Sequence, residues 1–321
     1  MTDKNFSKFS QQVQVHFAEQ TYTEGLSLTS KHLAEYPERF GLINYWRICM
    51  AAQIKEFPLA NKILESTLAS GIWIAEFLLR QSPELESIQG DPEFEHLTGI
   101  SLQMAAANPP EKEITLVARP EDACEPGQPG CPTLIFLHGN IDTSRNTIEH
   151  LVELPGKGWL VALPQSEYVL LTDGYSWADN ASGVTQIKTS YAKLAEEYSL
   201  DPARTVLGGY SMGGEVALTA ALTSEIETAG FVCLGLAGPN TSEPDQWSEA
   251  INQAKGRSLR GVILLGDEDF TVPLENVELV VDKLNQAGIE TKLIPMPGVA
   301  HVYPDNFDAL LDQAFEFIFE E

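Results

Sequence analysis

Leu207-Gly-Gly-Tyr-Ser211-Met-Gly-Gly-Glu215 is the stretch on which the reading of this chain turns. Gly209, Ser211 and Gly213 fit the pattern G-x-S-x-G. The run Thr205–Gly209 before it is apolar and reads as a buried strand. The run Gly213–Thr223 after it is rich in Ala and Leu and reads as a helix. A serine at such a strand-to-helix elbow sits on a tight, strained turn with its hydroxyl exposed. The glycines follow from sterics, because side chains two residues to either side would collide with the neighbouring strand and helix. The helix N-terminus beneath the serine favours negative charge developing there.

Outward from the elbow, strands and helices alternate. Ile114–Ala118, Thr133–Leu137, Trp159–Leu163, Phe231–Leu236, Val262–Leu265 and Thr291–Met296 read as further strands. Thr147–Gly156, Val184–Tyr198, Leu274–Gly288 and Asn306–Phe319 read as further helices. The strands are near-continuous apolar runs, the mark of strands covered on both faces. Alternation of this kind predicts a mostly parallel sheet flanked by helices, an α/β fold. Residues 5–80 differ: Leu26, Leu33, Ile48, Ile54, Ile63, Leu64 and Leu68 recur at helical spacing. Breaks are expected at Tyr36-Pro37, Phe57-Pro58 and Ser70-Gly71, where proline or glycine ends a helix. Tyr22-Thr-Glu-Gly25 and Phe57-Pro-Leu-Ala60 recur at an offset of about 35 residues, the period of tetratricopeptide helix pairs. Ala105 to Glu113 has the composition of a linker. The predicted organisation is a small all-helical, tetratricopeptide-like domain over 1–105 and an α/β domain over 106–321.

Composition narrows the function. The 321 residues carry 46 acidic and 20 basic side chains, a net charge of −26. Such a surface repels a phosphate backbone, so no nucleic-acid partner is expected. No apolar run reaches the length of a membrane span. No apolar signal segment follows the N-terminal Met-Thr-Asp-Lys, and a cytoplasmic protein is expected. Cys49 and Cys233 sit in apolar stretches and read as buried thiols. Cys124 and Cys131 lie near each other in a Pro/Gly-rich loop; in a cytosolic setting they are expected to stay reduced. No Cys or His spacing suggests a metal.

A serine hydroxyl needs a base. Of six histidines, His16, His32, His96 and His150 lie on helical stretches and read as structural or solvent-facing. His301, in the loop after the last strand, is placed to act as general base. The base needs a carboxylate partner. Leu265-Gly-Asp-Glu-Asp269 follows a strand; Asp269 is the expected partner, with Asp267 next. The order Ser, Asp, His along the chain fits an elbow serine. An oxyanion requires fixed backbone donors. The N–H of Met212 is one; Asn140, or else Ile141, in the turn Leu137-His138-Gly139-Asn140-Ile141 supplies the other. His138 reads as the residue that holds this turn. Tyr175 and Trp177 are expected to line the substrate site or to be packing aromatics.

Several further strings carry a resemblance: Leu163-Pro-Gln-Ser166, Gly174-Tyr-Ser-Trp177, Asp201-Pro-Ala-Arg204 running into Ser211, Gly266-x-x-Asp269-x-x-Val272-Pro273, and Gly298-x-x-His301-x-Tyr303-Pro304. From about Ile114 onward the chain resembles the α/β-hydrolase superfamily, in its phospholipase/carboxylesterase and dienelactone-hydrolase-like branches. The resemblance implies a Ser211–Asp269–His301 triad, an oxyanion hole of the Asn140 and Met212 backbone N–H groups, and no cofactor or metal. Where many relatives have a second glycine after the His-Gly pair, this chain has Asn140-Ile141. The expected activity is hydrolysis of a small carboxylic ester through an acyl-enzyme. A thioesterase or peptidase on the same triad is the alternative. A helical-repeat interaction protein with an inactive hydrolase domain is a third. The N-terminal helices can cover the hydrolase, self-associate into a homo-oligomer, or bind a protein partner.

Overall fold

The computed structural model describes residues 3–108 and 115–320. Of the linker expected at 105–113, Ala105–Ala107 are instead the end of a helix, and 109–113 fall outside the described residues, as does the first residue of the Ile114 strand. The chain divides into two compact units. One is Met1–Lys112 with Glu167–Tyr175; the other is Glu113–Ser166 with Ser176–Glu321.

The first unit is built on helices α1 (Asp3–Ala18), α2 (Tyr22–His32), α3 (Phe40–Gln53), α4 (Phe57–Ala69), α5 (Glu76–Gln81) and α6 (Pro92–Ala107). Phe6, Phe9, Val13, Tyr36, Ile43 and Met50 form a buried cluster within it. Pro58 opens α4 rather than ending a helix, because its fixed φ and missing N–H suit a first turn. Gly71, at φ 84°, follows the end of α4 as expected. Helices α2 and α4 begin at Tyr22 and Phe57, the positions matched in the sequence repeat. A Cβ on Gly25 would stand 2.7 Å from Met50 Cε and 2.9 Å from His16 Cβ, so α2 packs too closely for a larger residue. Asp91 caps α6 by accepting from the Phe94 N–H at 3.0 Å. Arg80 donates two bonds to Glu95, at 2.8 and 2.6 Å, and the pairing pulls the Glu95 carboxyl down to about 2.

The strands are β1 (Thr115–Ala118), β2 (Cys131–Leu137), β3 (Leu160–Pro164), β4 (Tyr168–Leu171), β5 (Gly174–Ser176), β6 (Leu200–Tyr210), β7 (Gly230–Leu234), β8 (Arg260–Gly266) and β9 (Glu290–Met296). The segment Glu167–Tyr175, carrying β4, belongs to the helical unit. The Ala75 N–H donates to Leu170 O at 2.8 Å and the Trp73 N–H to Thr172 Oγ1 at 2.8 Å. Asp173 accepts from the Gly41 N–H at 3.1 Å, and burial raises its carboxyl above the usual range. A Cβ on Gly41 would stand too close to this carboxylate to be accommodated. The β4–β5 pair has no counterpart in the expected strands, because Tyr168–Ser176 lacks both a long apolar run and clean alternation.

The second unit carries a seven-stranded sheet in the order β1-β3-β2-β6-β7-β8-β9. Strand β1 runs antiparallel to β3, and the other neighbours are parallel. Side chains alternate between two buried clusters. Ile135, Leu207, Cys233 and Ile263 enter one; Leu134, Val206, Val232 and Leu264 enter the other. That two-residue period, apolar on both faces, is why the strands read as continuous apolar runs. Helices α7 (Ser144–Thr147), α8 (Asn180–Glu197), α9 (Met212–Thr223), α10 (Pro239–Ser242), α11 (Ser248–Ala254), α12 (Leu274–Gln286) and α13 (Phe307–Ile318) complete the unit. The result is an α/β-hydrolase fold preceded by a helical region.

Two further segments differ from expectation. The helix expected at Thr147–Gly156 is instead α7 followed by 3-10 turns at Ile148–His150 and Pro155–Lys157. Pro155 lacks the donor that a continuous helix needs there. His150 is buried and stacks on Tyr303 with ring centroids 3.7 Å apart. Cys124 and Cys131 form a disulfide rather than free thiols. Ser199 explains the approach: it donates to Cys124 O at 2.8 Å and accepts from the Cys131 N–H at 2.9 Å. Both cysteines are thereby pinned to one residue about seventy positions downstream.

Candidate active site

Ser211 lies between β6 and α9 with φ 55° and ψ −124°, a sparsely populated conformation for a residue with a side chain. The turn is held from below, where the Ser211 N–H donates to Leu234 O at 2.9 Å. A Cβ on Gly209 would stand 2.3 Å from the Gly213 carbonyl carbon. One on Gly213 would stand 2.3 Å from His138 O. The two motif glycines thus let strand, helix and the turn after β2 close on one another. Met212 is the first residue of α9, so its N–H has no carbonyl one turn back to accept it.

The turn after β2 lies beside the serine. A Cβ on Gly139 would stand 3.5 Å from Ser211 Cβ. His138 is fully buried, and burial depresses its pKa. Its Nε2 receives the Ser166 N–H at 3.2 Å and the Gln165 side-chain amide at 3.0 Å. The proton therefore belongs on Nδ1, which donates to Gly139 O at 2.8 Å. Trp177 is 2% exposed; its ring stacks on His138 and its indole N–H donates to His138 O at 2.9 Å. Asn140 is exposed in the turn, and Ile141 adopts φ 53°. A left-handed position that glycine would suit is thus taken here by a β-branched residue. Tyr175 lies in the helical unit and is half-buried.

Asp269 and His301 are brought together. Asp269 Oδ2 accepts from His301 Nδ1 at 2.7 Å, with the carboxylate side chain 1% and the imidazole 11% exposed. Asp269 Oδ1 accepts from the Thr271 N–H at 2.9 Å. Asp267 faces elsewhere and accepts from the Gly298 N–H at 2.7 Å, bracing the loop that carries His301. Tyr210, one residue before the serine, donates its hydroxyl to His301 O and packs its ring 5.0 Å from the imidazole. Gly235, at φ 54°, closes the back of the pair. A Cβ there would stand 3.1 Å from His301 Cε1 and Nδ1 and 3.5 Å from Asp269 Oδ2. Sequence reasoning missed Tyr210 and Gly235; the one available signal was a glycine directly after a buried strand, in Leu234-Gly235. Among the described residues no group of three or more His, Cys, Asp or Glu side chains is arranged to hold a metal ion.

A serine at an elbow, a carboxylate-bound imidazole and a helix N-terminus are the parts that acyl transfer requires. Residues 121–310, more than half the chain, match the family model described as Phospholipase/Carboxylesterase. The chain belongs to this family. It is a carboxylesterase-like hydrolase. Among solved structures, an uncharacterized protein from Bacillus cereus ATCC 10987 is similar at 21% identity and TM-score 0.54, over 97% of this chain and 98% of that one. The structure called esterase PE8 is similar at 19% identity and TM-score 0.52, over 65% of this chain and 99% of that one. Dipeptidyl peptidase 4 of Porphyromonas gingivalis is similar at 16% identity and TM-score 0.51, over 65% of this chain and 33% of that one. At these identities the likeness is one of fold. The first of them spans the helical region of this family member as well as its sheet. No curated protein matches the chain. No helix among the described residues is long and apolar enough to cross a membrane.

Proposed function

We propose that the chain hydrolyses small carboxylic esters through an acyl-enzyme on Ser211, with His301 as general base and Asp269 as its partner. The observation that carries the reading is the buried 2.7 Å Asp269–His301 bond, packed against Tyr210, the residue before a serine in a strained elbow. Asp269 holds the Nδ1–H tautomer, so Nε2 is the basic nitrogen. Ser211 Oγ attacks the ester carbonyl carbon as its proton passes to Nε2. The oxyanion is stabilised by the backbone N–H groups of Met212 and Asn140. The imidazolium returns the proton to the leaving alkoxide, which departs as alcohol. Water then attacks the acyl-enzyme by the same route and releases the acid. Residues 1–105 are read as a tetratricopeptide-like domain, on the matched starts of α2 and α4 and the small residues Gly25 and Ala60.

Ser211→Ala is expected to lower turnover of short nitrophenyl esters by on the order of 10⁴-fold or more, and to abolish fluorophosphonate labelling. Rates measured beside acyl-CoA and aminoacyl anilide substrates identify the bond preferred. Near wild-type ester turnover by this variant would sink the proposal.

A further inference from the structure

Glu215 takes no part in those proton transfers, yet its carboxylate is buried to 1% exposure, one turn beyond Ser211 on α9. Its Oε1 accepts from Asn180 Nδ2 at 2.9 Å and from the Asn240 N–H at 3.0 Å. Its Oε2 accepts from the Thr241 N–H at 3.0 Å and from Thr241 Oγ1 at 2.8 Å. All four partners are donors. Three are N–H groups, which cannot accept, and a carboxylate, which accepts at both oxygens, satisfies all four. Burying a charge costs free energy unless hydrogen bonds of this kind replace its water. The space for it is also specific, since a Cβ on Gly238 would stand 2.5 Å from Glu215 Cδ.

The three segments gathered on this carboxylate are those that frame the site. Helix α9 begins directly after Ser211. Asn180 opens α8 three residues after Trp177, whose indole holds the turn at His138. Asn240 and Thr241 lie in α10, which closes the loop that leaves β7 at Gly235, the residue backing His301 and Asp269. Between them Leu236 and Ala237 are buried, so the loop transmits a shift at one end to the other.

We propose that Glu215 is a positioning residue of this active site, its ionised carboxylate fixing the Gly235–Thr241 loop against the His301–Asp269 pair and so setting the base against the nucleophile. The proposal rests on Ser211, Asp269 and His301 being the triad. Glu215 touches no substrate; it acts through the wall behind the imidazole.

The test uses the full chain, with active sites titrated by the fluorophosphonate probe so that kcat is expressed per competent Ser211. Glu215→Gln sets an NH2 against a donor. It is expected to lower kcat per titrated site on the order of 10²-fold while KM stays within about threefold, as for a reacting geometry misplaced by roughly 1 Å. Thr241→Val removes one bond and keeps the charge, with a loss of roughly tenfold expected; Thr241→Ser is expected to restore wild-type kcat. If Glu215→Gln does not fold, the Thr241 pair decides. Folded Glu215→Gln and Thr241→Val proteins with lowered melting temperature but wild-type kcat per titrated site would overturn the positioning role and leave the triad standing. A wild-type protein that the probe does not label at Ser211 would overturn the triad reading, and this inference with it.

Discussion

Ser211 and Ile141 both adopt positive φ, at 55° and 53°, on the two turns that meet at the site. Each is held there by contacts the backbone makes elsewhere: Ser211 by Leu234 O, and the β2 turn by the buried His138 and Trp177. Gly235 is the complementary case, a position where a side chain is crowded out by the hydrogen-bonded His301–Asp269 pair. Gly235→Ala adds a left-handed alanine, costing about 1–2 kcal/mol, and pushes on the imidazole. Its expected effect is a fall in kcat of roughly tenfold or more with the fold retained, read as kcat per titrated Ser211 beside a thermal melt. Unchanged kcat would show that the wall behind His301 is soft. At this scale the elbow at Gly209, Ser211 and Gly213 is legible in the sequence, because a tight turn restricts residue type locally. Tyr210 and Gly235 are not, since their roles exist only once β6, β7 and the His301 loop lie side by side.

The helices of the first unit show how charge sets stability at the level of single elements. Helix α6 starts at the Asp91 cap, and the Arg80–Glu95 pair and the Gly90 N–H hold Glu95 beside it. Glu95 is lowered to about 2, chiefly by its bonds from Arg80, and Asp91 is also lowered, chiefly by the Phe94 N–H. A carboxyl whose folded pKa is depressed stabilises the fold above its unfolded pKa and loses that contribution as pH falls through the folded value. For Glu95 the loss runs from about 4.5 down to about 2. Helical circular dichroism is therefore expected to show lower stability across that window, and Glu95→Gln should flatten the dependence. The same slope in the variant would assign the acid sensitivity to other groups. Strand and helix periods made most elements legible. The segment after α7 departs from its helical pattern because Pro155 interrupts it. The Cys124–Cys131 disulfide is not legible in the sequence, because its geometry depends on Ser199, far along the chain.

Across the whole molecule, 26 excess negative charges disfavour anionic partners, while the two units each close their own core. The segment Glu167–Tyr175 is the exception to division by sequence: Leu170 and Leu171, at 2% and 0% exposure, are buried in the helical unit. Removing residues 1–108 would strip that segment of Trp73, Ala75 and Gly41 and expose both leucines. The truncated chain is expected to bind an apolar dye more strongly and to elute as aggregate in size-exclusion chromatography. A monodisperse product with unchanged dye binding would refute this account. The apolar periods and the elbow glycines are readable from the residues alone, since each depends on sterics within a few positions. The Asp269–His301 bond, the Cys124–Cys131 link through Ser199, the four donors on Glu215 and the docking of Glu167–Tyr175 on the helices came only with the folded chain. Each joins segments far apart in sequence, and nothing local to either partner records the other.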